Sequence, residues 1–162
     1  MLDEENRMKI YFAGSIRVGH ADVCHYHRLV EYLRKDHTVL TRHMSDLSVK
    51  EGATDEKIYS QDTAWLRESD IVIAECTRPS LGVGYELAYA ERYGKEIHIF
   101  YNRNRGLLST MLSGDDNFHI HPYSHEDEIY PILDSIFKGQ QESGNEEADK
   151  SSSVFPAGRS LG

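Results

Sequence analysis

The residues best suited to chemistry gather around two glycine-bearing loops. The first is Gly14-Ser15-Ile16-Arg17-Val18-Gly19. The second is Cys76-Thr77-Arg78-Pro79-Ser80-Leu81-Gly82-Val83-Gly84, which runs into Tyr85-Glu86. Ser15, Arg17, Ser80, Gly82 and Gly84 offer hydroxyls, a guanidinium and closely approachable backbone, the groups that hold a monophosphate. The spacing is neither a dinucleotide fingerprint nor a Gly-Lys-Ser/Thr loop, which argues against a dinucleotide or a triphosphate. Glu86 and Asp62 form a candidate carboxylate pair. An ionised glutamate nucleophile with a second, protonated acid is the logic of retaining glycosyl cleavage. A position in the first turn of a helix favours ionised Glu86, and an apolar helix face favours protonated Asp62. Tyr11 can hydrogen-bond a carboxylate in the same crevice. Each residue also has a structural reading: Glu86 as a helix-start acid, Asp62 as a cap or ion-pair partner, Tyr11 as a strand residue, Ser15 and Ser80 as turn formers.

These residues need elements to position them. Lys9-Ile10-Tyr11-Phe12-Ala13 and Ile71-Val72-Ile73-Ala74 are short continuous apolar runs, as in buried parallel strands. Thr38–Thr41, Glu96–Tyr101 and Phe118–His121 read as three more strands. Tyr26, Leu29, Val30 and Leu33 recur at helical spacing, as do Ile58, Trp65 and Leu66, with Asp62 on that same face. Asp55 is a candidate cap for the second helix. A third helix covers Leu87–Tyr93, with Gly94 as its C-terminal stop. A last helix carries Ile129, Ile132, Leu133, Ile136 and Phe137. Alternating strands and helices predict an α/β fold, a doubly wound five-stranded parallel sheet with helices on both faces. Strands one and three are neighbours at the switch point of such a sheet, so both glycine loops open onto one crevice.

The chain has 162 residues, enough for one domain with a real core, predicted over 9–137. Residues 1–8 read as a flexible N-terminus without the apolar core of a signal peptide. From Lys138 the chain turns Gln/Glu/Ser/Gly-rich and reads as a disordered tail to residue 162. The net charge of −9 argues against polymeric nucleic acid as a partner but leaves room for a small anion. No apolar run is long enough for a membrane helix. Two cysteines, Cys24 and Cys76, make no disulfide framework and fit a cytosolic or nuclear setting. The nine histidines show no metal-ligand spacing along the chain, and no metal or cofactor is expected. Cys76 reads as a small buried residue rather than a nucleophile.

At these residues the sequence resembles a known family. Tyr11-Phe12-Ala13-Gly14-Ser15-Ile16-Arg17, Gln61-Asp62 with Trp65-Leu66, and Glu75-Cys76-Thr77-Arg78-Pro79-Ser80-Leu81-Gly82-Val83-Gly84-Tyr85-Glu86-Leu87 are similar to the 2′-deoxynucleoside 5′-monophosphate N-hydrolases of the nucleoside 2-deoxyribosyltransferase superfamily. The resemblance spans about residues 9–137 and implies a flavodoxin-like fold and a homodimer. It implies hydrolysis of the N-glycosidic bond of a deoxynucleoside monophosphate to free base and 2-deoxyribose 5-phosphate. It makes Glu86 the nucleophile, with Asp62 and Tyr11 as its partners. Gly14, Ser15, Ile16, Arg17, Ser80 and Gly82 fall on the phosphate-binding set, and His43 on a histidine near the substrate. Ser109 and Met111 fall on residues that the family supplies from the partner subunit. Rival readings are deoxyribosyl transfer to a second base, a ribonucleotide (CMP-type) N-glycosidase, and a non-catalytic nucleotide-binding module.

Overall fold

The structure is a computed structural model that describes residues 4–15, 19–41 and 52–152. Five strands alternate with helices: β1 Lys9–Gly14, α1 His20–Arg34, β2 Thr38–Val39, α2 Asp55–Glu68, β3 Ile71–Glu75, α3 Leu81–Arg92, β4 Glu96–Asn102, a short α4 Thr110–Ser113, β5 Phe118–Tyr123 and α5 Ile129–Ser152. The strand order is β2-β1-β3-β4-β5 and every pairing is parallel. That is the flavodoxin-like order, whose direction of winding reverses between β1 and β3. Gly14 pairs with Glu75 at the last register position of β1 and β3, so the two following loops leave the sheet side by side.

Alternation along the strands sorts the core into two layers. Tyr11, Ala13, Val72, Ala74, Ile97 and Ile99 pack with Leu66 of α2 and with Val83, Leu87 and Ala90 of α3. Ile10, Phe12, Ile71 and Ile73 point the other way, and the Phe12 ring meets Tyr26 of α1 at 6.0 Å. Tyr26, Leu29, Val30 and Leu33 are all buried, as their spacing predicts. The helix caps follow local chemistry. Thr54, not Asp55, caps α2, its hydroxyl accepting from the Lys57 N–H. Gly94 follows α3 with φ +67°, the left-handed stop that glycine takes without strain.

Near the N-terminus, Arg7 donates to the carbonyls of Arg34 and His37, and the Met8 N–H to the His37 ring. Helix α5 runs to Ser152. The Gln/Glu/Ser/Gly-rich continuation beyond Lys138 has no apolar stripe, and so lacks the periodic signal that marks a helix in sequence. Chain contacts divide the protein into two units, Met1–Ser124 and His125–Gly162. Among the described residues, no helix is long and apolar enough to cross a membrane.

Candidate active site

The largest departure from the sequence reading concerns Glu86. Helix α3 begins at Leu81, with Ser80 as its cap; the Ser80 hydroxyl accepts from the Val83 N–H at 3.3 Å. Gly82 and Gly84 therefore belong to the first helical turn, and Glu86 lies in the second. The favourable dipole term falls off within the first turn, so the expected help toward an ionised Glu86 is largely lost. Burial acts the opposite way. It pushes the Glu86 carboxyl up to about 7, with Asp62 adding like-charge repulsion and a hydrogen bond from Tyr11 pulling back. Tyr11 is itself fully buried on β1, and its hydroxyl is held strongly protonated by burial and by both carboxylates. Tyr11, Asp62 and Glu86 thus form one electrostatic group, contributed by β1, α2 and α3. Asp62 is half-buried on the α2 face that also carries Trp65 and Leu66.

The rest of the crevice is built from loop ends. Gly14 closes β1 and Ser15 follows it, buried at 4% exposure. Ser80 is half-buried and Gly82 is exposed at the mouth of α3. A Cβ added at Gly82 would meet only the Ser80 hydroxyl at 3.8 Å, and one at Gly84 nothing within 4 Å. The protein's own packing does not require glycine at either position; a closely approaching ligand or chain would. Ser109 caps α4 by accepting from the Met111 N–H, and Met111 is 81% exposed. Ile16, Arg17 and His43 lie outside the described residues. Cys76 is half-buried, and burial beside Glu75 and Glu86 pushes its thiol up to about 12, which removes it as a nucleophile at neutral pH.

Beneath the two loops lies a polar framework that the sequence reading missed. Glu75, the last residue of β3, is only 1% exposed. Its carboxyl accepts from the Thr77 hydroxyl, from the Thr77 N–H at 3.3 Å and from the Tyr123 hydroxyl at 3.0 Å. Tyr123 also contacts the His25 Nε2 at 3.1 Å, and the Thr77 hydroxyl accepts from the Asn102 N–H. Burial raises the Glu75 pKa. Nearby, Asp22 of α1 is 4% exposed by side chain and takes Arg105 through two contacts, 2.7 and 3.3 Å, and Arg78 through one of 3.1 Å. The guanidinium of Arg105, then that of Arg78, holds the Asp22 carboxyl below its usual range. These bonds connect α1, the loop after β3 and the turn after β4. The signal in the sequence was slight: an acid ending an apolar strand, and an acid inside a helix whose partners lie 56 and 83 residues away.

Residues 10–150 match the protein-family model described as Nucleoside 2-deoxyribosyltransferase. The chain belongs to the nucleoside 2-deoxyribosyltransferase family. It is 44% identical over 144 residues to a 5-hydroxymethyl-dUMP N-hydrolase of Esox lucius, covering 82% of this chain and 97% of that one. It is 41% identical over 143 residues to a protein of the same name from Tetraodon nigroviridis, covering 83% and 100%. In structure it resembles the solution structure of BlsM, with a TM-score of 0.65 over 96% of this chain and 99% of that one; at 17% identity this is a likeness of fold.

Proposed function

We propose that this protein hydrolyses the N-glycosidic bond of 2′-deoxynucleoside 5′-monophosphates, releasing the base and 2-deoxyribose 5-phosphate. The observation that carries the reading is the hydrogen bond between buried Tyr11 of β1 and half-buried Glu86 of α3, with Asp62 of α2 beside it. The names of the similar fish proteins support the same chemistry and narrow the base to a modified uracil such as 5-hydroxymethyluracil.

The reaction is a double displacement. An ionised Glu86 oxygen attacks the anomeric carbon as the bond to the base breaks, through an oxocarbenium-like transition state. The bonding pair leaves with the base nitrogen, and Asp62 supplies or relays its proton. Water then attacks the same carbon, gives up a proton, and releases Glu86 from the sugar ester. Tyr11 holds Glu86 in line and stabilises its charge. Gly14, Ser15, Ile16, Arg17, Ser80 and Gly82 hold the phosphate, and that remote binding orients the sugar. His43 is assigned to substrate contact.

The active form is a homodimer, with Ser109 and Met111 completing the partner's site. The apolar surface supports this. Leu81 and Leu107 are almost fully exposed, as is most of Met111. Tyr59, Tyr85, Tyr89 and Tyr93 form an outward ladder across α2 and α3, with successive ring separations of 6.3, 6.3 and 4.9 Å. Large exposed apolar and aromatic side chains of this kind suit an association face. The free cysteines fit a reducing compartment, cytosolic or nuclear.

The test is incubation of the purified protein with ribo- and deoxynucleoside monophosphates and chromatographic detection of free base. Release from the deoxynucleotides supports the reading; binding without release over long incubation overturns it. The family description favours one second reading, transfer of the deoxyribosyl group to another base. A new nucleotide formed when a free acceptor base is added would establish transfer.

A further inference from the structure

Strands β4 and β5 carry a second cluster of potential ligands: Tyr11, Val72 and Ile97 share one register level and one sheet face, and His98, one residue on, lies on the other face. Glu96 opens β4 at its amino end, and His98 follows two residues later on the same face. Parallel register sets His119 directly across from His98, and His121 across from Phe100. Glu96, His98 and His119 each offer a ligand atom, and these atoms all lie within 4.8 Å of one another. Spacing along the chain hides the group, because its members become neighbours only through strand pairing.

We propose that Glu96, His98 and His119 form a binding site for a divalent transition metal, with zinc as the fitting ion. Two imidazoles and a carboxylate are a favoured zinc donor set, and three protein ligands leave one position for water. A second observation concerns the other nitrogen of His98. His98 Nε2 lies 2.8 Å from Glu96 Oε1, on the ligand side, while Nδ1 lies 2.8 Å from His121 Nε2. A metal-ligating histidine characteristically has its remote nitrogen held by a hydrogen bond that fixes ring and tautomer. His121 fills that role for His98, and its own ring is stacked on Phe100 at 4.8 Å. His98 is buried and positioned in advance, whereas His119 is exposed on the outer strand.

One adjustment is required. The His98 and His119 rings stack at 4.6 Å, 18° from parallel, so the two rings do not direct lone pairs at one point. Zinc–nitrogen bonds of about 2.0–2.1 Å demand convergence. His119 supplies it by turning about its side-chain torsions, which its exposure permits. The Glu96–His98 hydrogen bond opens as the metal takes both atoms. The bound ion then ties the edge strand β5 to β4. The net charge of −9 favours cation uptake in general.

The probe is zinc chloride titrated into the full-length protein by calorimetry near pH 7.5, with thermal melting alongside. The expected result is one zinc per chain and a higher melting temperature with metal than without. His119→Ala and Glu96→Gln each weaken binding at least about tenfold, and His121→Ala weakens it by about 10- to 100-fold. Retained base-release activity in each variant shows that the fold is intact. The main competitor is on α1, where Cys24 Sγ lies 3.5 Å from His20 Nδ1. Cys24→Ser should leave zinc uptake unchanged. Loss of uptake in Cys24→Ser, its persistence in both His119→Ala and Glu96→Gln, or no uptake by the wild type at millimolar zinc would each overturn the proposal.

Discussion

The Tyr11 hydroxyl, on the inner strand β1, hydrogen-bonds to Glu86 in the second turn of α3. That contact opposes the burial that otherwise pushes Glu86 up to about 7. It makes the pH dependence of the reaction a direct test of roles. If Glu86 is the nucleophile, kcat/KM rises with pH through about 7 as the carboxyl ionises. Among the described residues, Tyr11 supplies the interaction that favours the charged form; Tyr11→Phe removes it, so the rising limb should move to higher pH and the plateau should fall. A profile that instead falls above pH 7 exchanges the roles, with Glu86 as acid and Asp62 as nucleophile.

The same raised pKa predicts a stability effect. An acid with a higher pKa folded than unfolded binds more protons in the native state between the two values. Stability therefore declines as pH rises from the ordinary carboxylate range toward 7. Glu86→Gln removes the buried charge, so this variant should be more stable than wild type at pH 8, by at most about 3 kcal/mol. The difference should shrink toward pH 4.5. Urea melts at both pH values measure it. Turnover should vanish in the same variant while a phosphate-bearing ligand still binds.

Much of this was legible in the sequence because it depends on local pattern. The continuous apolar runs of β1 and β3 and the helical spacing of Tyr26, Leu29, Val30 and Leu33 specify a wound parallel sheet, and that topology alone brings the two loops together. What failed was chemistry set by burial and by distance along the chain. Gly82 and Gly84 read as loop, yet Ser80 caps a helix that includes them, and this moves Glu86 away from the helix end. Glu75 reads as the tail of a strand, yet its partner Tyr123 lies 48 residues on. Neither the Glu75 framework nor the Asp22 clamp has a periodicity to find.

Asp62 is the residue assigned to the departing base. Asp62→Asn should lower kcat by about 10²- to 10⁴-fold, the usual range for one general acid. The loss should be smaller for a base that leaves readily without a proton. Comparing one sluggish and one activated leaving base, in wild type and variant, measures the difference. An equal loss on both would remove Asp62 from the proton transfer.

Glu75 and Asp22 should act through loop position rather than through the reacting atoms. Asp22→Ala frees Arg78 and Arg105, both already partly solvated, and loosens the loop that leads to Ser80. KM for the nucleotide should rise several-fold more than kcat falls. Glu75→Gln retains an oxygen acceptor without adding charge and should be mild, whereas Glu75→Ala leaves the Thr77 and Tyr123 hydroxyls without their buried acceptor. That variant should lose about 2–4 kcal/mol of stability, from unmet hydrogen bonds. Steady-state kinetics and chemical denaturation separate the two effects.

Shared sites give the sharpest test of the dimer. Glu86 and Ser109 belong to different protomers of any one site if Ser109 reaches across. Glu86→Gln and Ser109→Ala homodimers are then each impaired at both sites. Mixing the two and allowing subunits to exchange makes heterodimers in which one site carries both lesions and the other carries neither. Equal amounts should restore about a quarter of wild-type activity, since half of the dimers are mixed and each has one intact site of two. Activity that stays at the average of the two parents would show that every site is built from a single chain. Charge substitution at Tyr85 or Tyr89 should prevent the recovery by opposing association, with sedimentation velocity reporting the change in size.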